Sequence, residues 1–313
     1  MLAEIREQPE VLRELCRRAE DAWKLPSSLF RGVSHAVVVG SGSSFNAGLA
    51  ARHYLETVAG IATRVDFASE AFRHEVPARA LVIGLSHSGA SSDVRAALAR
   101  AKRRGCRTLA VTNIEGSPLT RDADTAFVTG AGVELAIPST KGFTALVAAS
   151  LLIASLRVGA VKTATRAIRR AAAAMENLES PLDAVVERVA SSKSVAFLGE
   201  GTSYPIARDG ALKLLEVSYI PSLAYPPEEF RHGPMAIAAP GVVVVALSSL
   251  SAALTRVVRA SGAGIVEMSA AVAAPRLTRC LVRAAELQLL VHGVGVRLGR
   301  DVDSPRSLSK VVR

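Results

Sequence analysis

Aromatic side chains are scarce in this sequence: they make up 4% of 313 residues, although half of all residues are hydrophobic. The hydrophobic core must therefore consist mainly of Ala, Val, Leu and Ile. Basic residues are not interleaved with aromatic ones, as they are in many surfaces that bind nucleic acid. The net charge of +10 comes from scattered arginines rather than from a basic tail. We therefore expect no nucleic acid as a partner.

Cysteine is almost as rare. The chain contains Cys16, Cys106 and Cys280, an odd number at wide spacings. These spacings match neither a metal site nor a disulfide framework. We therefore expect no metal, no other cofactor and a reducing, cytoplasmic location.

Long apolar runs are missing as well. The longest extends from Phe143 to Leu156, which is too short to span a bilayer and predicts a buried helix. The charged, helical opening of the chain does not resemble a secretory signal. We expect a soluble protein that does not associate with a membrane.

Short apolar runs alternate with helical patterns along the chain. Helical patterns lie at 3–23, with an interruption near Pro9, at 159–180 and at 276–298. The predicted strands lie at 35–40, 65–67, 80–85, 108–112, 125–128, 195–199, 242–247 and 264–268. This alternation is typical of an α/β fold, with a parallel sheet covered by helices on both faces.

Two motifs occur twice in the same order. Gly40-x-Gly42-Ser43-Ser44-Phe45 returns as Gly199-x-Gly201-Thr202-Ser203-Tyr204, and residues 70–74 return as 228–232. The offsets are 159 and 158 residues, which indicates a duplicated α/β domain. We predict a helical segment over 1–22, a first domain over 23–158, a linker helix over 159–180, a second domain over 181–298 and a tail over 299–313.

Serine-rich turns follow two predicted strands of the first domain, at Ser43-Ser44 and at Ser86-His87-Ser88-Gly89-Ala90-Ser91. Ligands of open parallel sheets bind at the carboxyl ends of the strands. Amides at a helix N-terminus favour an anion, and Gly89 allows close approach of the backbone. The two turns therefore predict a phosphate site, although helix caps are the alternative. No P-loop lysine follows, which argues against a nucleoside triphosphate.

The second domain carries charged groups instead. Lys213 and Glu216 are three residues apart and share one face of a helix that should end near Pro221. His232 follows on a predicted loop. A carboxylate, an amine and an imidazole together suit proton transfer near neutral pH. The alternative is a surface ion pair and a capping histidine.

Several motifs together resemble a known family. They are Gly42-Ser43-Ser44, Ser86-His87-Ser88-Gly89, Glu134-Leu135-Ala136-Ile137-Pro138-Ser139-Thr140-Lys141, Glu216, Glu229-Phe230-Arg231-His232-Gly233-Pro234 and Asp301-Val302-Asp303-x-Pro305-Arg306-x-Leu308-x-Lys310. In this order they resemble the isomerase part of glutamine–fructose-6-phosphate aminotransferase, a pair of SIS (sugar isomerase) domains. The resemblance covers nearly the whole chain and implies two tandem three-layer α/β/α domains of flavodoxin-like type.

The resemblance also implies roles for particular residues. Those that would hold the sugar phosphate are Ser44, Ser86, His87, Ser88 and Ser91. Those that would line the sugar chain are Gly42, Ser43, Ile137 and Ser309. Glu216 would move a proton between C1 and C2, and Lys213 would assist at a hydroxyl. His232 would open the ring across the interface of a homodimer with shared active sites, and Lys310 would approach the carbonyl carbon, as a Schiff base in one version of the mechanism.

The sequence departs from the family pattern at several positions. His87 stands where the family usually has Gln, Ala90 where it has an acid, Leu215 where it has a basic residue and Ser309 where it has a small apolar one. The family's synthase also has a glutaminase domain that begins with Cys after Met, whereas Leu2 follows Met1 here. We therefore expect no hydrolysis of glutamine.

The resulting hypothesis is a deaminase that converts glucosamine 6-phosphate and water into fructose 6-phosphate and ammonia, in either direction. The alternatives are an aldose–ketose sugar-phosphate isomerase, a fructosamine-6-phosphate deglycase and a non-enzymatic sensor of sugar phosphates.

Overall fold

The computed structural model describes residues 1–21, 25–73, 76–77, 79–268 and 274–310. The chain forms two compact units. The first unit comprises Glu7–Glu134, Lys141–Ala172 and Ser309–Arg313, and the second unit comprises Met1–Arg6, Leu135–Thr140 and Ala173–Leu308. The domain boundaries proposed from the sequence stay predictions.

Nine strands occur in the described part of the chain. The first unit contains β1 (His35–Gly40), β2 (Ala62–Phe67), β3 (Leu81–Leu85), β4 (Arg107–Thr112) and β5 (Thr125–Val128). The second unit contains β6 (Ser194–Leu198), β7 (Ser222–Tyr225), β8 (Val242–Ala246) and β9 (Gly264–Glu267).

Helices connect and cover these strands. They are α1 (Leu2–Arg6), α2 (Gln8–Asp21), α3 (Ser43–Thr57), α4 (Ser92–Arg103), α5 (Pro118–Asp122), α6 (Lys141–Arg157), α7 (Val161–Glu176), α8 (Asp183–Ala190), α9 (Ser203–Ser218), α10 (Pro227–Phe230), α11 (Ala252–Ala260) and α12 (Arg279–Arg297). Two 3₁₀ helices span Ser27–Phe30 and Pro234–Ile237. Among the described residues, no helix combines the length and the apolar character that crossing a membrane requires.

The sheet of the first unit has the strand order β2-β1-β3-β4-β5, and all of its pairs are parallel. Its central strand β3 is buried along its whole length, as expected for a sheet covered on both faces. Gly84 of β3 leaves room for Leu98 of α4, whose Cδ1 would lie 3.0 Å from an added Cβ. The chain order reverses between β1 and β3, and such a switch point opens a crevice at the carboxyl ends of the strands.

The sheet of the second unit has the order β7-β6-β8-β9 and is also parallel. Helices α9 and α12 pack closely in this unit: a Cβ added at Gly210 would lie 2.0 Å from Cδ2 of Leu287. Both sheets with their flanking helices confirm the predicted α/β fold class.

The duplicated motif has the same backbone in both copies. Gly42 and Gly201 each have a φ of +54°, a conformation that favours glycine. A Cβ at Gly40 would lie 2.8 Å from the carbonyl carbon of Ser44, and one at Gly199 would lie 2.6 Å from the carbonyl oxygen of Ser203. The repeated glycines are therefore required by the strand-to-helix turn, independently of any ligand.

Local differences from the sequence predictions occur at prolines. The amino-terminal helical pattern is divided at Glu7 rather than near Pro9, because Pro9 fits the first turn of α2. Strand β7 was not predicted, because it is flanked by Pro221 and Pro226. It is an edge strand, where flanking prolines do not disrupt the ladder.

Candidate active site

The two predicted phosphate turns lie on adjacent strands. β1 and β3 pair directly, so the turns that follow them, at Gly42–Ser44 and at Ser86–Ser91, both belong to the crevice at the switch point. The hydroxyl of Ser41 donates to the carboxylate of Asp93 at the start of α4, which connects the two turns. The first unit therefore carries both turns at one edge of its sheet.

Within the turn between β3 and α4, the serines bond to one another and to the turn itself. Ser86 is 2% exposed, and its Oγ lies 2.9 Å from Oγ of Ser91 and accepts from N–H of Gly89 at 3.2 Å. Ser88 accepts from N–H of Ala90 at 3.2 Å. Ser91 is the N-cap residue of α4, yet its side chain makes no capping bond to the helix. Hydroxyls and the positive end of α4 thus converge on one turn, which suits an anion.

Gly89 is required by this turn. Its φ is +62°, and an added Cβ would lie 2.2 Å from Oγ of Ser117 and 2.7 Å from Oγ1 of Thr112. Its carbonyl oxygen accepts from N–H of Leu119 at 2.9 Å. The turn is therefore pressed against the chain that follows β4, which holds its backbone in position.

Asn113, which the sequence analysis did not single out, holds the loop at residues 129–132 through its side chain. It follows β4 directly, and its Nδ2 donates to the carbonyl oxygen of Gly132 at 2.6 Å. Its Oδ1 accepts from N–H of Ala131 at 2.5 Å and from Oγ1 of Thr129 at 3.3 Å. One buried amide side chain therefore fixes residues 129–132, just before Glu134.

Glu134 contacts two of the predicted site residues, His87 and Lys310. Its side chain is fully buried, and its Oε2 lies 2.8 Å from Nζ of Lys310 and 3.6 Å from Nε2 of His87. Its Oε1 accepts from N–H of Gly142, in the first turn of α6, at 3.0 Å. Burial raises the pKa of Glu134, but the charges of His87 and Lys310 and the bonds from Lys310 and Gly142 outweigh burial and lower the pKa to about 2. The carboxylate is therefore ionised at any physiological pH.

The tail that carries Lys310 is held within the second unit up to Leu308. Arg306 donates from its backbone N–H to the hydroxyl of Tyr219 at 3.1 Å, and its guanidinium lies 4.0 Å from the centre of the Tyr219 ring. The guanidinium of Arg300 lies 5.0 Å from the same ring. These contacts hold the polar tail of the second unit against Tyr219. Ser309, predicted to line the sugar, is exposed next to Lys310 in the chain.

Ile137 lies on a loop of the second unit with a defined backbone. Its N–H donates to the carbonyl oxygen of Asp303 at 2.8 Å. The carboxylate of Glu4 accepts from N–H of Leu135 at 2.5 Å and of Ala136 at 3.2 Å. The loop is thus tied to both the amino-terminal helix and the tail of the same unit.

The predicted proton-transfer residues also belong to the second unit. Lys213 is 1% exposed and lies 2.7 Å from Oδ2 of Asp209, which is 2% exposed. Glu216 lies one turn further along α9, half-buried. The helix ends at Ser218, and Tyr219 follows in the left-handed conformation. Asp209 was missed in the sequence, although its spacing of four residues from Lys213 predicts an ion pair on one helix face.

His232 is exposed on the turn after α10, where its backbone N–H donates to the carbonyl oxygen of Glu229 at 3.0 Å. Its predicted position outside regular structure is thereby observed. The predicted site residues therefore fall into two groups. The serine turns and Lys310 belong to the first unit, and Lys213, Glu216 and His232 belong to the second.

Comparison with known proteins gives consistent results. The model of the SIS domain family matches residues 29–156 and 188–273, which is more than half of the chain. A glutamine–fructose-6-phosphate aminotransferase (isomerizing) of Gloeobacter violaceus is 35% identical over the whole of this chain, which covers 58% of that protein's length. The chain thus spans little more than half of the curated relatives it matches.

Solved structures show the same relationship. The C-terminal domain of glucosamine-fructose-6-phosphate aminotransferase from Francisella tularensis superposes with a TM-score of 0.87 at 30% identity, covering 97% of this chain and 98% of that one. A glucosamine-6-phosphate deaminase from Thermotoga maritima has a TM-score of 0.81 at 24% identity, covering 99% of this chain and 98% of that one, which shows a shared fold. The SIS domain model matches more than half of the chain, and the Francisella tularensis domain matches it over nearly its whole length. The chain therefore belongs to the SIS domain family, as a homologue of the isomerase part of glutamine–fructose-6-phosphate aminotransferase.

Proposed function

We propose that this chain is a cytoplasmic glucosamine-6-phosphate deaminase of the SIS type. It would interconvert glucosamine 6-phosphate and water with fructose 6-phosphate and free ammonia. The observation that carries the proposal is the position of the Lys310 amine, 2.8 Å from a buried carboxylate that also faces His87 of the serine turn. An amine beside an anion site is what imine chemistry on a phosphorylated sugar needs, whereas a sensor that only binds needs no such group.

Substrate binding is assigned to the first unit. The hydroxyls of Ser44, Ser86, Ser88 and Ser91, together with His87 and the amides at the start of α4, would hold the phosphate. Gly42, Ser43 and Ser309 of this unit, and the backbone near Ile137 of the second unit, would line the sugar chain. When the phosphate at one end of the sugar is fixed, the reactive C1 and C2 atoms at the other end adopt the same position in every turnover.

Chemistry is assigned to the side chains of the second unit together with Lys310. His232 opens the ring by moving a proton to the ring oxygen. Glu216 then takes the proton from C2 of the open amino sugar and returns it to C1, which leaves an imine at C2. Water adds to this imine, the C–N bond breaks, and ammonia leaves as the C2 ketone of fructose 6-phosphate forms. Lys213, held by Asp209, assists at the hydroxyl of C1, and the amine of Lys310 approaches the carbonyl carbon.

The proposed reaction differs in its source of nitrogen from the aminotransferase reaction for which the curated relatives are named. Both sheets of these 313 residues belong to SIS-type folds, and the chain covers 58% of the matched aminotransferase. For this chain by itself, nitrogen would enter or leave as free ammonia. The Thermotoga maritima protein, which shares the fold over 98% of its length, is a glucosamine-6-phosphate deaminase.

The assay that tests the proposal offers purified protein three substrates: glucosamine 6-phosphate, glucose 6-phosphate and a fructosamine 6-phosphate. We expect ammonia and fructose 6-phosphate in equal amounts from the first, and no product from Glu216→Gln protein. Turnover of glucose 6-phosphate without ammonia from the amino sugar would identify an isomerase instead. Ammonia from the fructosamine alone would identify a deglycase. Tight binding of sugar phosphate with no turnover of any of the three would identify a sensor.

A homodimer with shared sites is part of the same proposal. His232 is exposed on a turn of the second unit, so it is available to a partner. Mixed dimers of Glu216→Gln and His232→Ala chains should recover part of the activity that each variant lacks. No recovery in dimers shown by mass spectrometry to be mixed would contradict shared sites.

A further inference from the structure

One carboxylate oxygen faces a lysine and a histidine side chain in the first unit. Nζ of Lys310 lies 2.8 Å from Oε2 of Glu134, and Nε2 of His87 lies 3.6 Å from the same oxygen. The other oxygen, Oε1, is occupied by N–H of Gly142 at 3.0 Å. Because α6 fixes one oxygen, Lys310 and His87 share the other.

His87 is confined next to this oxygen. A Cβ added at Gly142 would lie 2.3 Å from Nδ1 and 2.6 Å from Cε1 of His87, so the imidazole packs against the first turn of α6. The backbone carbonyl oxygen of His87 accepts from N–H of Asn113 at 3.0 Å and from Oγ1 of Thr112 at 3.1 Å. The backbone of His87 is therefore fixed, and its ring stands between the serine turn and Glu134.

The start of α6 carries an ion pair of its own. Lys141, the first residue of α6, has a side chain that is 4% exposed and lies 2.5 Å from Oε2 of Glu7. The positive end of α6 also faces Glu134 through Gly142. Lys141 therefore has its own carboxylate, whereas His87, Lys310 and the N-terminus of α6 contribute to the charge balance at Glu134.

We propose that Glu134 is a positioning residue that holds the Lys310 amine, and that His87 couples this hold to occupation of the phosphate turn. The proposal rests on the proposed function, since it takes the serine turn as the phosphate site. A phosphate dianion at Ser86–Ser91 favours the imidazolium form of His87. The imidazolium then competes with Lys310 for Oε2 of Glu134 and adds positive charge beside the ammonium. Both effects favour loss of a proton from Lys310, so the tail amine becomes a nucleophile when the substrate is bound.

This mechanism is specific to a residue that can gain a proton. A Gln at position 87 can bond to phosphate and to Glu134 but cannot change its charge. The sign of the expected change is also informative. A bound anion that acts on Lys310 directly stabilises the ammonium and makes the amine less reactive, whereas coupling through His87 makes it more reactive.

The test measures the reactivity of Lys310 in the whole protein. The probe is inorganic phosphate, and the reagent is a neutral amine-acylating ester, which reacts with the unprotonated amine. Acylation of Lys310 and Lys141 is quantified by peptide mass spectrometry across a range of pH, while phosphorus NMR follows phosphate binding in the same samples. We expect saturating phosphate to raise the rate at Lys310 about tenfold, a fall of about one unit in apparent pKa, and to leave Lys141 unchanged.

Three variants sharpen the test. Glu134→Gln protein should acylate Lys310 faster without phosphate and show no further increase with it. His87→Gln protein should bind phosphate yet show no acceleration at Lys310. Glu7→Gln is the matched control: it removes the carboxylate beside Lys141 and should accelerate Lys141 without changing Lys310. The comparison of wild-type protein with and without phosphate needs no variant to fold.

The outcomes separate the two proposals. If the wild type binds no phosphate, the proposed phosphate turn is wrong, and this inference falls with it. If phosphate binds but Lys310 reacts at the same rate or more slowly, only the coupling is overturned. Equal acceleration in wild-type and His87→Gln protein would also overturn the coupling, and an unchanged rate in Glu134→Gln protein would contradict the role of Glu134.

Discussion

The two sheets carry serine-rich turns at corresponding places, and the turns use their hydroxyls differently. In the second unit, Oγ of Ser251 caps α11 by accepting from N–H of Leu254 at 3.2 Å, and Oγ of Ser248 accepts from N–H of Glu200 at 3.1 Å. In the first unit, Ser91 does not cap α4 and is bonded to Ser86 instead. The same residue type thus caps a helix in one copy and makes no capping bond in the other.

The two units also differ in the charged side chains of the helix that follows their first strand. Helix α9 of the second unit carries the buried Lys213–Asp209 pair and Glu216. The corresponding helix α3 of the first unit has Tyr54 and Thr57 at the positions of Lys213 and Glu216. In the function we propose, duplication followed by divergence has separated binding groups from proton-transfer groups, and each of the following predictions tests one side of this separation.

The largest effect is expected from Glu216→Gln. Removing the group that moves the C2 proton should lower kcat at least about a hundredfold, since a positioned acid–base group contributes about 10²–10⁴-fold. Phosphate binding in the first unit should be unchanged. Steady-state kinetics and phosphorus NMR provide the two measurements. A comparable loss of phosphate binding would mean that binding and proton transfer are not separated as we propose.

Gly89→Ala should destroy the phosphate turn. The substitution combines a left-handed backbone, which costs about 1–2 kcal/mol in a residue with Cβ, with overlap on Ser117, where overpacking adds about 1–3 kcal/mol. We expect a loss of about 2–5 kcal/mol in the free energy of unfolding, measured by urea denaturation. Gly105→Ala is the matched control, because its φ is +72° and its Cβ would meet nothing within 4 Å. Equal losses in both variants would show that contact with Ser117 is unimportant.

Acid stability should depend on Glu134. Its pKa is lowered from 4.5 to about 2, so its contribution is complete above the unfolded pKa and disappears as pH falls through the folded one. This contribution has an upper bound of about 3 kcal/mol. Unfolding free energies measured between about pH 6 and pH 2 should fall less steeply for Glu134→Gln than for the wild type. Parallel curves for the two proteins would contradict the buried ion pairs.

The smallest effect separates the two serine turns directly. Ser251→Ala should lower the unfolding free energy by about 0.5–2 kcal/mol through loss of a helix cap, without changing phosphate affinity. Ser91→Ala should weaken phosphate binding while costing less stability, because Ser91 does not cap α4. Thermal unfolding and phosphate titration of both variants decide the point. Identical behaviour of the pair would remove the distinction between a structural and a binding turn.

Much of the fold could be predicted because its causes are local. The strands predicted at 35–40 and 125–128 have the observed bounds, since short apolar runs between turn residues have few other conformations. The edge strand β7 was missed because its flanking prolines resemble a loop in sequence. Asn113 was missed for another reason: a single polar residue does not reveal that it will be buried and bonded. The spacing of Asp209 from Lys213 does indicate an ion pair, but not that the pair is buried.

The sequence by itself determined the α/β class, the duplication, the serine turns and the types of side chain that chemistry would use, because periodicity, turn glycines and motif order depend on neighbouring residues. Tertiary structure alone decided that residues 87, 134 and 310 meet at one carboxylate oxygen. The sequence separation between Glu134 and Lys310 is 176 residues, and no local pattern constrains contacts over that distance. These contacts form because the loops that follow parallel strands lie at the same end of the sheet. They also form because a buried, ionised carboxylate requires cationic partners.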